Sequence, residues 1–187
     1  CNTDSYGFRF NSKKLADDNK SIFDIKINKK TSIMVGSSTT FGVGATKDER
    51  TIPGILSNVS DNFFYNFGGR AFNGFQEIIL TELMINQIAD IKKILLYSGI
   101  NDIYMSYNES FISSFPGPFY YNSKFLNSME NSSLNLKKKL LNFFIPSKKI
   151  EKSYYPKIKL EEIVSRNIKM WKIFSKSTNS ELSFFLP

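Results

Sequence analysis

The 187-residue sequence contains no histidine and only a single cysteine. Without histidine, none of these residues supplies the imidazole that most often serves as a general base in enzymes. One cysteine cannot form an intramolecular disulfide, so the cysteine content indicates neither an oxidising nor a reducing compartment. Any base for nucleophilic catalysis would therefore have to come from another residue type or from outside these residues.

Long apolar runs are also missing. A helix that spans a bilayer needs about 20 apolar residues, and no stretch of the sequence approaches that length. The chain does not open with the basic, apolar and small-residue pattern of a signal peptide, and no periodic repeat indicates a solenoid. We expect a soluble domain. Cys1 at the first position fits a lipidated protein of the cell envelope or another extracytoplasmic protein, and equally a chain boundary.

The composition is that of a globular protein. Hydrophobic residues make up 41% of the chain and aromatic residues 15%, which is enough for one domain with a sizeable core. The net charge of +8 lies entirely within residues 123–187. The lysines there either contact an anionic surface or form a solvated helix face and linker: Lys137, Lys138, Lys139, Lys148 and Lys149. No nucleic-acid recognition motif accompanies this charge, so we do not expect a nucleic-acid partner.

Short apolar runs alternate with segments of helical spacing along the chain. The runs are typical of strands buried on both faces, and they lie at 32–36, 63–67, 93–98 and 181–186. Helices are predicted at 51–59, 73–90 and 158–176. This alternation predicts one α/β domain over residues 1–187, with a doubly wound, mostly parallel sheet flanked by helices.

The central predicted helix, 73–90, has the clearest boundary signal. Asn73 with Gln76 three residues later is typical of a capping box, in which each side chain bonds the backbone N–H of the other residue. Its apolar face is predicted from the spacing of four side chains: Phe75, Ile79, Leu83 and Ile88.

An insertion is predicted at about 101–157, between the third strand and the last helix. It is too long for an ordinary connection, and long insertions are often functional. Its first half is rich in aromatic residues and its second half has apolar residues at helical spacing. Two interpretations stay open: a lid or acyl-binding wall over a site, or packing against the main sheet.

A glycine and small hydroxyl residues follow the first predicted strand. A P-loop is excluded because Phe41 stands where its second glycine is required and no lysine follows Gly42. A dinucleotide loop is excluded because GVGATK lacks the third glycine. The GxSxG elbow would need glycine in place of Thr40. What is left is a Gly-x-Ser turn at Gly36 and Ser38, at the edge where parallel sheets place their sites.

This turn and two later segments resemble SGNH/GDSL serine hydrolases, in the variety that reads GGSTTFG. The matching segments are YGFRFN, GSSTTFGVGATKDERTIPGIL, NFGGRAFNGFQE, similar to the family's NxGxxGxxxxQE, and YSGINDI, similar to its GxND. Ser37 departs from the usual Gly or Asp. The resemblance implies that Ser38 is the nucleophile, and that its N–H, the Gly68 N–H and the Asn101 side-chain amide form an oxyanion hole. Such donors are each worth about 2.7–4 kcal/mol of barrier.

The family's general base is a histidine in a C-terminal Asp-x-x-His segment, and this segment is missing here. We expect that the chain is a fragment from which the final strand, helix and Asp-x-x-His are absent, and which is inactive by itself. The alternative is a natural pseudo-enzyme on the same fold that binds glycans or lipids. The resemblance implies a carboxylic-ester hydrolase that needs no cofactor and no metal and acts on a small-molecule, carbohydrate or lipid ester.

Overall fold

The computed structural model describes residues 1–106 and 160–185. Within them the strands are β1 Lys30–Gly36, β2 Asn62–Gly68, β3 Ile91–Tyr97 and β4 Glu181–Phe185. The helices of the same ranges are α1 Lys13–Asp18, α2 Ser38–Phe41, α3 Ile52–Val59, α4 Gly74–Met84, α5 Ile100–Ser106 and α6 Leu160–Ser177. All four predicted strands and all three predicted helices are therefore present, with ends shifted by a few residues.

The four strands form one parallel sheet in the order β2-β1-β3-β4. At its carboxyl edge, Gly36 of β1 pairs in register with Gly68 of β2 on one side and with Tyr97 of β3 on the other. This confirms the predicted α/β fold with a parallel sheet. The residues that follow β1, β2 and β3 consequently begin side by side.

Aliphatic side chains of the two central strands form the middle of the core. Ile33, Val35 and Ile94 are fully buried, as expected for strands covered on both faces. Aromatic rings from the chain's beginning extend this core beyond β2, where the ring of Phe8 lies 4.9 Å from that of Phe67. The N-terminal segment therefore packs against β2, the strand that ends at Gly68.

Helix α4 begins as predicted and differs in the face that it buries. Both hydrogen bonds of the capping box between Asn73 and Gln76 are present. The predicted apolar face is wrong at Leu83, which is 71% exposed, whereas Glu77 and Thr81 are fully buried. The apolar spacing did not show this face, because Ser98 and Asp102, the groups that act on Glu77, are polar and follow β3 in the chain.

Two further expectations concern the membrane and the insertion. Across residues 1–106 and 160–185, no helix is long and apolar enough to cross a bilayer. The insertion predicted at 101–157 begins with α5, and its residues from 107 onward lie outside the described residues. The five lysines predicted to contact an anionic surface lie there as well.

Candidate active site

Ser38 is the first residue of the single-turn helix α2, two residues beyond the end of β1. The first residues of a helix have no intrahelical acceptor for their N–H groups, so the hydrogen bonds within α2 do not use the Ser38 N–H. Gly42 closes the turn with a φ of 87°, and its N–H donates to the Ser38 carbonyl at 3.0 Å. The geometry is that of a tight strand-to-helix turn with serine at its tip.

Two glycines allow α2 to lie against the ends of the strands. A Cβ on Gly36 would come within 2.3 Å of the Tyr97 carbonyl oxygen, and one on Gly68 within 2.1 Å of the Phe41 nitrogen. Such distances are shorter than real Cβ contacts, so a side chain at either position would push α2 off the sheet. Glycine at 36 and 68 is therefore explained by close packing at this edge.

The Gly68 N–H is already hydrogen-bonded. It donates to the side-chain oxygen of the buried Asn66 at 3.0 Å. The next N–H, that of Gly69, donates to the Gly36 carbonyl at 2.9 Å. These two bonds tie the start of the β2–α4 connection to β1, and they use the N–H that the sequence suggests for the oxyanion hole.

Asn101 lies in the first turn of α5, four residues beyond the end of β3. One N–H of its side-chain amide donates to the Phe72 carbonyl at 2.7 Å. An amide carries two N–H groups, so this bond orients the side chain and leaves a second donor. The structure thus places Gly68 at the end of β2, and Ser38 and Asn101 shortly after the ends of β1 and β3, which lie beside each other in the parallel sheet.

Ala71 belongs to the same edge, although the sequence reasoning did not select it. Its φ of 61° is in the left-handed region, which costs about 1–2 kcal/mol for a residue with a Cβ. Within the described residues its N–H donates no hydrogen bond. The signal was in the motif, since NxGxxG has its second glycine where this chain has Ala71.

Arg9 is a second residue that the sequence did not single out. It is 2% exposed, and its Nε donates to Asp48 Oδ1 at 2.7 Å. Its Nη1 donates to the carbonyl of Gly42 at 2.6 Å, and Gly42 ends the turn that begins at Ser38. Burial alone would raise the pKa of Asp48, but hydrogen bonds from Arg9 and Asn2 and the charge of Arg9 lower it. This ion pair anchors the C-terminal end of α2.

Two carboxyl groups are buried on the other side of the site, under α4 and α5. Burial raises the pKa of the fully buried Glu77 to about 8, with a contribution from the charge of Asp102. The Ser98 side chain opposes that shift, but neither Glu77 oxygen has a hydrogen bond of good geometry within the described part of the chain. Asp102 accepts the Gly74 N–H at 2.9 Å, and burial raises its pKa too.

The described residues around Ser38 include no base in contact with it. Within residues 1–106 and 160–185 no side chain hydrogen-bonds the Ser38 hydroxyl. The same ranges contain no cluster of three or more acidic or cysteine side chains that could hold a metal ion. The described edge of the sheet thus has a serine and N–H donors, which suits stabilisation of an oxyanion.

Comparison with models of protein families returns no match, and comparison with curated protein sequences returns none either. Two solved structures are similar to this chain. One is a lipolytic protein of the G-D-S-L family from Desulfitobacterium hafniense, at 12% identity and a TM-score of 0.39, covering 83% of this chain and 77% of that one. The other is a GDSL-like lipase from Bacteroides thetaiotaomicron, at 17% identity and a TM-score of 0.37, covering 92% and 76%.

Proposed function

We propose that this chain is a carboxylic-ester hydrolase of the SGNH/GDSL type, which cleaves acyl or acetyl esters through a serine acyl-enzyme. One observation carries the proposal: Ser38 starts a helix at the carboxyl edge of β1, between the strand ends that lead to Gly68 and Asn101. A carbonyl group placed against the Ser38 hydroxyl would have N–H donors on both sides.

The chemistry is that of acyl transfer. The Ser38 oxygen attacks the ester carbonyl carbon, the alcohol leaves, and water then releases the acid from the serine. The negative oxygen formed in each step needs donors that are already in place. The Ser38 N–H and the second N–H of the Asn101 amide supply two of them.

The third donor comes from the β2–α4 connection. The Gly68 N–H can serve only after the Asn66 side chain releases it, because the two are hydrogen-bonded at 3.0 Å. The Ala71 N–H requires no such release, and the strained backbone at Ala71 is of the kind often found at functional sites. We therefore propose Gly68 and Ala71 as the two candidates for this role.

The general base lies outside the described residues in this proposal. A serine hydroxyl is a weak nucleophile until a neighbouring group accepts its proton. No described group hydrogen-bonds the Ser38 hydroxyl, and the sequence contains no histidine. We propose that the base is a histidine of a longer form of the protein, in an Asp-x-x-His segment of the kind that the resemblance implies.

The nucleophile is tested by covalent labelling of the full-length protein with a fluorophosphonate probe. Ser38→Ala should abolish labelling, whereas Thr39→Ala, which changes the exposed hydroxyl next to it, should leave labelling intact. Equal labelling of wild type and Ser38→Ala would show that another residue reacts, and the assignment would be withdrawn.

The oxyanion role of Asn101 is tested by the rate of the same labelling. Asn101→Ala should slow it by about 100- to 1,000-fold, the usual effect of removing one preorganised donor. The matched control is Asn86→Ala, an exposed asparagine remote from this edge of the sheet. A rate within threefold of wild type for Asn101→Ala would exclude Asn101 from the site.

A second candidate function is a non-catalytic glycan- or lipid-binding module on the same fold. It is favoured by the lack of a base in contact with Ser38 among the described residues. It predicts that the full-length protein binds an acylated ligand and hydrolyses no ester. Turnover that is lost in Ser38→Ala would exclude it.

A further inference from the structure

A pocket of about 280 Å³ opens beside α2. Its lining combines large apolar side chains with two longer side chains that end in polar groups. The apolar ones are Phe8, Phe41, Phe72 and Leu80, and the two with polar ends are Tyr6 and Arg70. A concave, mostly apolar site with a few polar groups at its edge is the usual form of a small-molecule site.

The pocket adjoins Ser38 through α2. Phe41 follows Ser38 by three residues in this helix, and side chains at that spacing lie on the same face with their Cβ atoms about 5–6 Å apart. Gly68, which also lines the pocket, lies directly against the backbone of Phe41. A group bound over Phe41 is therefore within one helical turn of the proposed nucleophile.

The turn that carries Tyr6 is held by hydrogen bonds to the carboxylate of Asp4. Asp4 Oδ1 accepts the N–H groups of Tyr6 and Phe8 at 3.0 and 2.9 Å. Its Oδ2 accepts the Ser21 hydroxyl and the Ile22 N–H at 3.0 and 3.1 Å. One buried carboxylate thus accepts four hydrogen bonds and fixes a turn whose tyrosine is 67% exposed.

The Phe72 ring, which lines the pocket, lies against Gly69. A Cβ on Gly69 would lie within 2.1 Å of the Phe72 ring, so the ring occupies the space that any side chain at 69 would need. The Phe41 ring lies against a fixed cation, because the Arg9 guanidinium is 5.9 Å from the ring centre and is itself paired with Asp48. The pocket is therefore formed before any ligand arrives, which lowers the entropic cost of binding.

We propose that this pocket binds a short or medium-length alkyl chain of the ester attacked by Ser38, with Tyr6 and Phe72 as determinants of chain length. The proposal rests on the proposed ester hydrolysis and adds the class of group that the site takes. The volume of about 280 Å³ lies just below the usual range of small-molecule sites, which matches a short or medium-length chain. The alkyl chain belongs either to the acid or to the alcohol of the ester.

Direct binding tests the pocket without requiring turnover. Calorimetric titrations with butyrate, hexanoate and octanoate probe the acid side, and titrations with 1-butanol, 1-hexanol and 1-octanol probe the alcohol side. Each added methylene that becomes buried should tighten binding about three- to fourfold until the pocket is full. The series that shows this dependence identifies which part of the ester the pocket holds.

Variants locate the binding. Tyr6→Ala should weaken the binding of the longest ligand that fits by about tenfold, because it removes an aromatic wall. Thr3→Trp, at an exposed position of the lining, should block the longer ligands and spare the four-carbon ones. Leu83→Ala is the control, since Leu83 is 71% exposed and is not part of the lining.

The outcomes separate this proposal from the proposed function. All titrations are repeated in the full-length Ser38→Ala protein, where binding should be unchanged. Binding that rises with chain length and falls in Tyr6→Ala supports the pocket even if fluorophosphonate labelling fails and ester hydrolysis is withdrawn. No chain-length dependence in either series, or an unchanged affinity in both Tyr6→Ala and Thr3→Trp, overturns the pocket even if labelling depends on Ser38.

Discussion

Two clusters of buried ionisable groups lie near the candidate site. They differ in how many of their carboxylate oxygens accept hydrogen bonds. The arginine cluster consists of Arg9, Asp48 and Asn2, and the carboxyl cluster consists of Glu77 and Asp102. In the first, both Asp48 oxygens accept hydrogen bonds from nitrogens of Arg9 or Asn2. In the second, both Glu77 oxygens and Asp102 Oδ1 have no hydrogen-bond partner within the described residues.

The difference shows that burial alone does not decide whether a carboxyl group is charged. Burial raises the pKa of Asp48 and of Glu77 alike, because the low-dielectric interior disfavours the charged form. Donors and the charge of Arg9 reverse the shift at Asp48, whereas the like charge of Asp102 adds to it at Glu77. The arginine cluster is a charged scaffold behind Ser38, whereas the carboxyl cluster contains Glu77, whose pKa of about 8 lies near neutral pH.

The largest expected effect comes from breaking the arginine cluster. Arg9→Met should destabilise the protein by about 3–5 kcal/mol, because it leaves Asp48 buried without its cation. The free energy of unfolding is measured by urea denaturation at neutral pH. Lys13→Met is the control, since the Lys13–Asp17 pair is largely exposed and its loss should change stability by less than about 1 kcal/mol. Similar losses in the two variants would mean that Arg9 is not an anchor.

Glu77→Gln tests the carboxyl cluster through the pH dependence of stability. The folded state holds the Glu77 proton up to a pKa of about 8, whereas the ordinary pKa of a glutamate, as in the unfolded chain, is 4.5. Between these values the folded state binds more protons than the unfolded state, so stability falls as pH rises. The fall should be on the order of a few kcal/mol in the wild type and largely absent in Glu77→Gln.

Urea denaturation at several pH values from 5 to 8.5 measures this slope. Asp48 has the opposite sign, because its pKa is lowered in the folded state and its contribution is lost as pH falls through the acid range. Glu82→Gln, at an exposed glutamate of the same helix, is the matched control. A slope that is equal in wild type and Glu77→Gln would show that Glu77 is charged in the folded protein.

Asp102→Asn sharpens the comparison by removing the like charge and keeping an acceptor for the Gly74 N–H. The pKa of Glu77 should fall, because the charge of Asp102 contributes to raising it. The accompanying change in stability at neutral pH should be on the order of 1 kcal/mol or less. Titration of the Glu77 carboxyl carbon by NMR reports the pKa directly. An unchanged or higher pKa would mean that the two carboxyl groups do not interact.

The smallest effect concerns the β2–α4 connection, which runs between the two clusters. Ala71→Gly should stabilise the protein by about 0.5–1 kcal/mol, because glycine adopts a φ of 61° without strain. For a domain of this size we expect a rise in Tm of about 1–4 °C, measured by thermal denaturation. Ala89→Gly, at an exposed alanine without a positive φ, should be neutral or destabilising. A destabilising Ala71→Gly would show that the Ala71 side chain is needed.

Much of the fold could be predicted because local patterns and tertiary packing agree. The apolar run around Ile33 and Val35 predicts a strand covered on both faces, and both side chains are fully buried. The Asn73–Gln76 capping box predicts the start of α4 from bonds that form within one turn. The buried face of α4 was missed, since Glu77 on that face interacts with Ser98 and Asp102, which follow the next strand along the chain.

The sequence by itself determined which residues follow β1, β2 and β3, and therefore that Ser38, Gly68 and Asn101 lie at one edge of the sheet. This placement needs only that the strands are parallel, because the carboxyl ends of parallel strands meet at one edge of the sheet. Only the tertiary structure decided that Arg9 anchors α2 and that Glu77 is fully buried beside Asp102. Hydrogen bonds and burial of this kind join residues far apart in the chain, so no pattern of neighbouring residues encodes them.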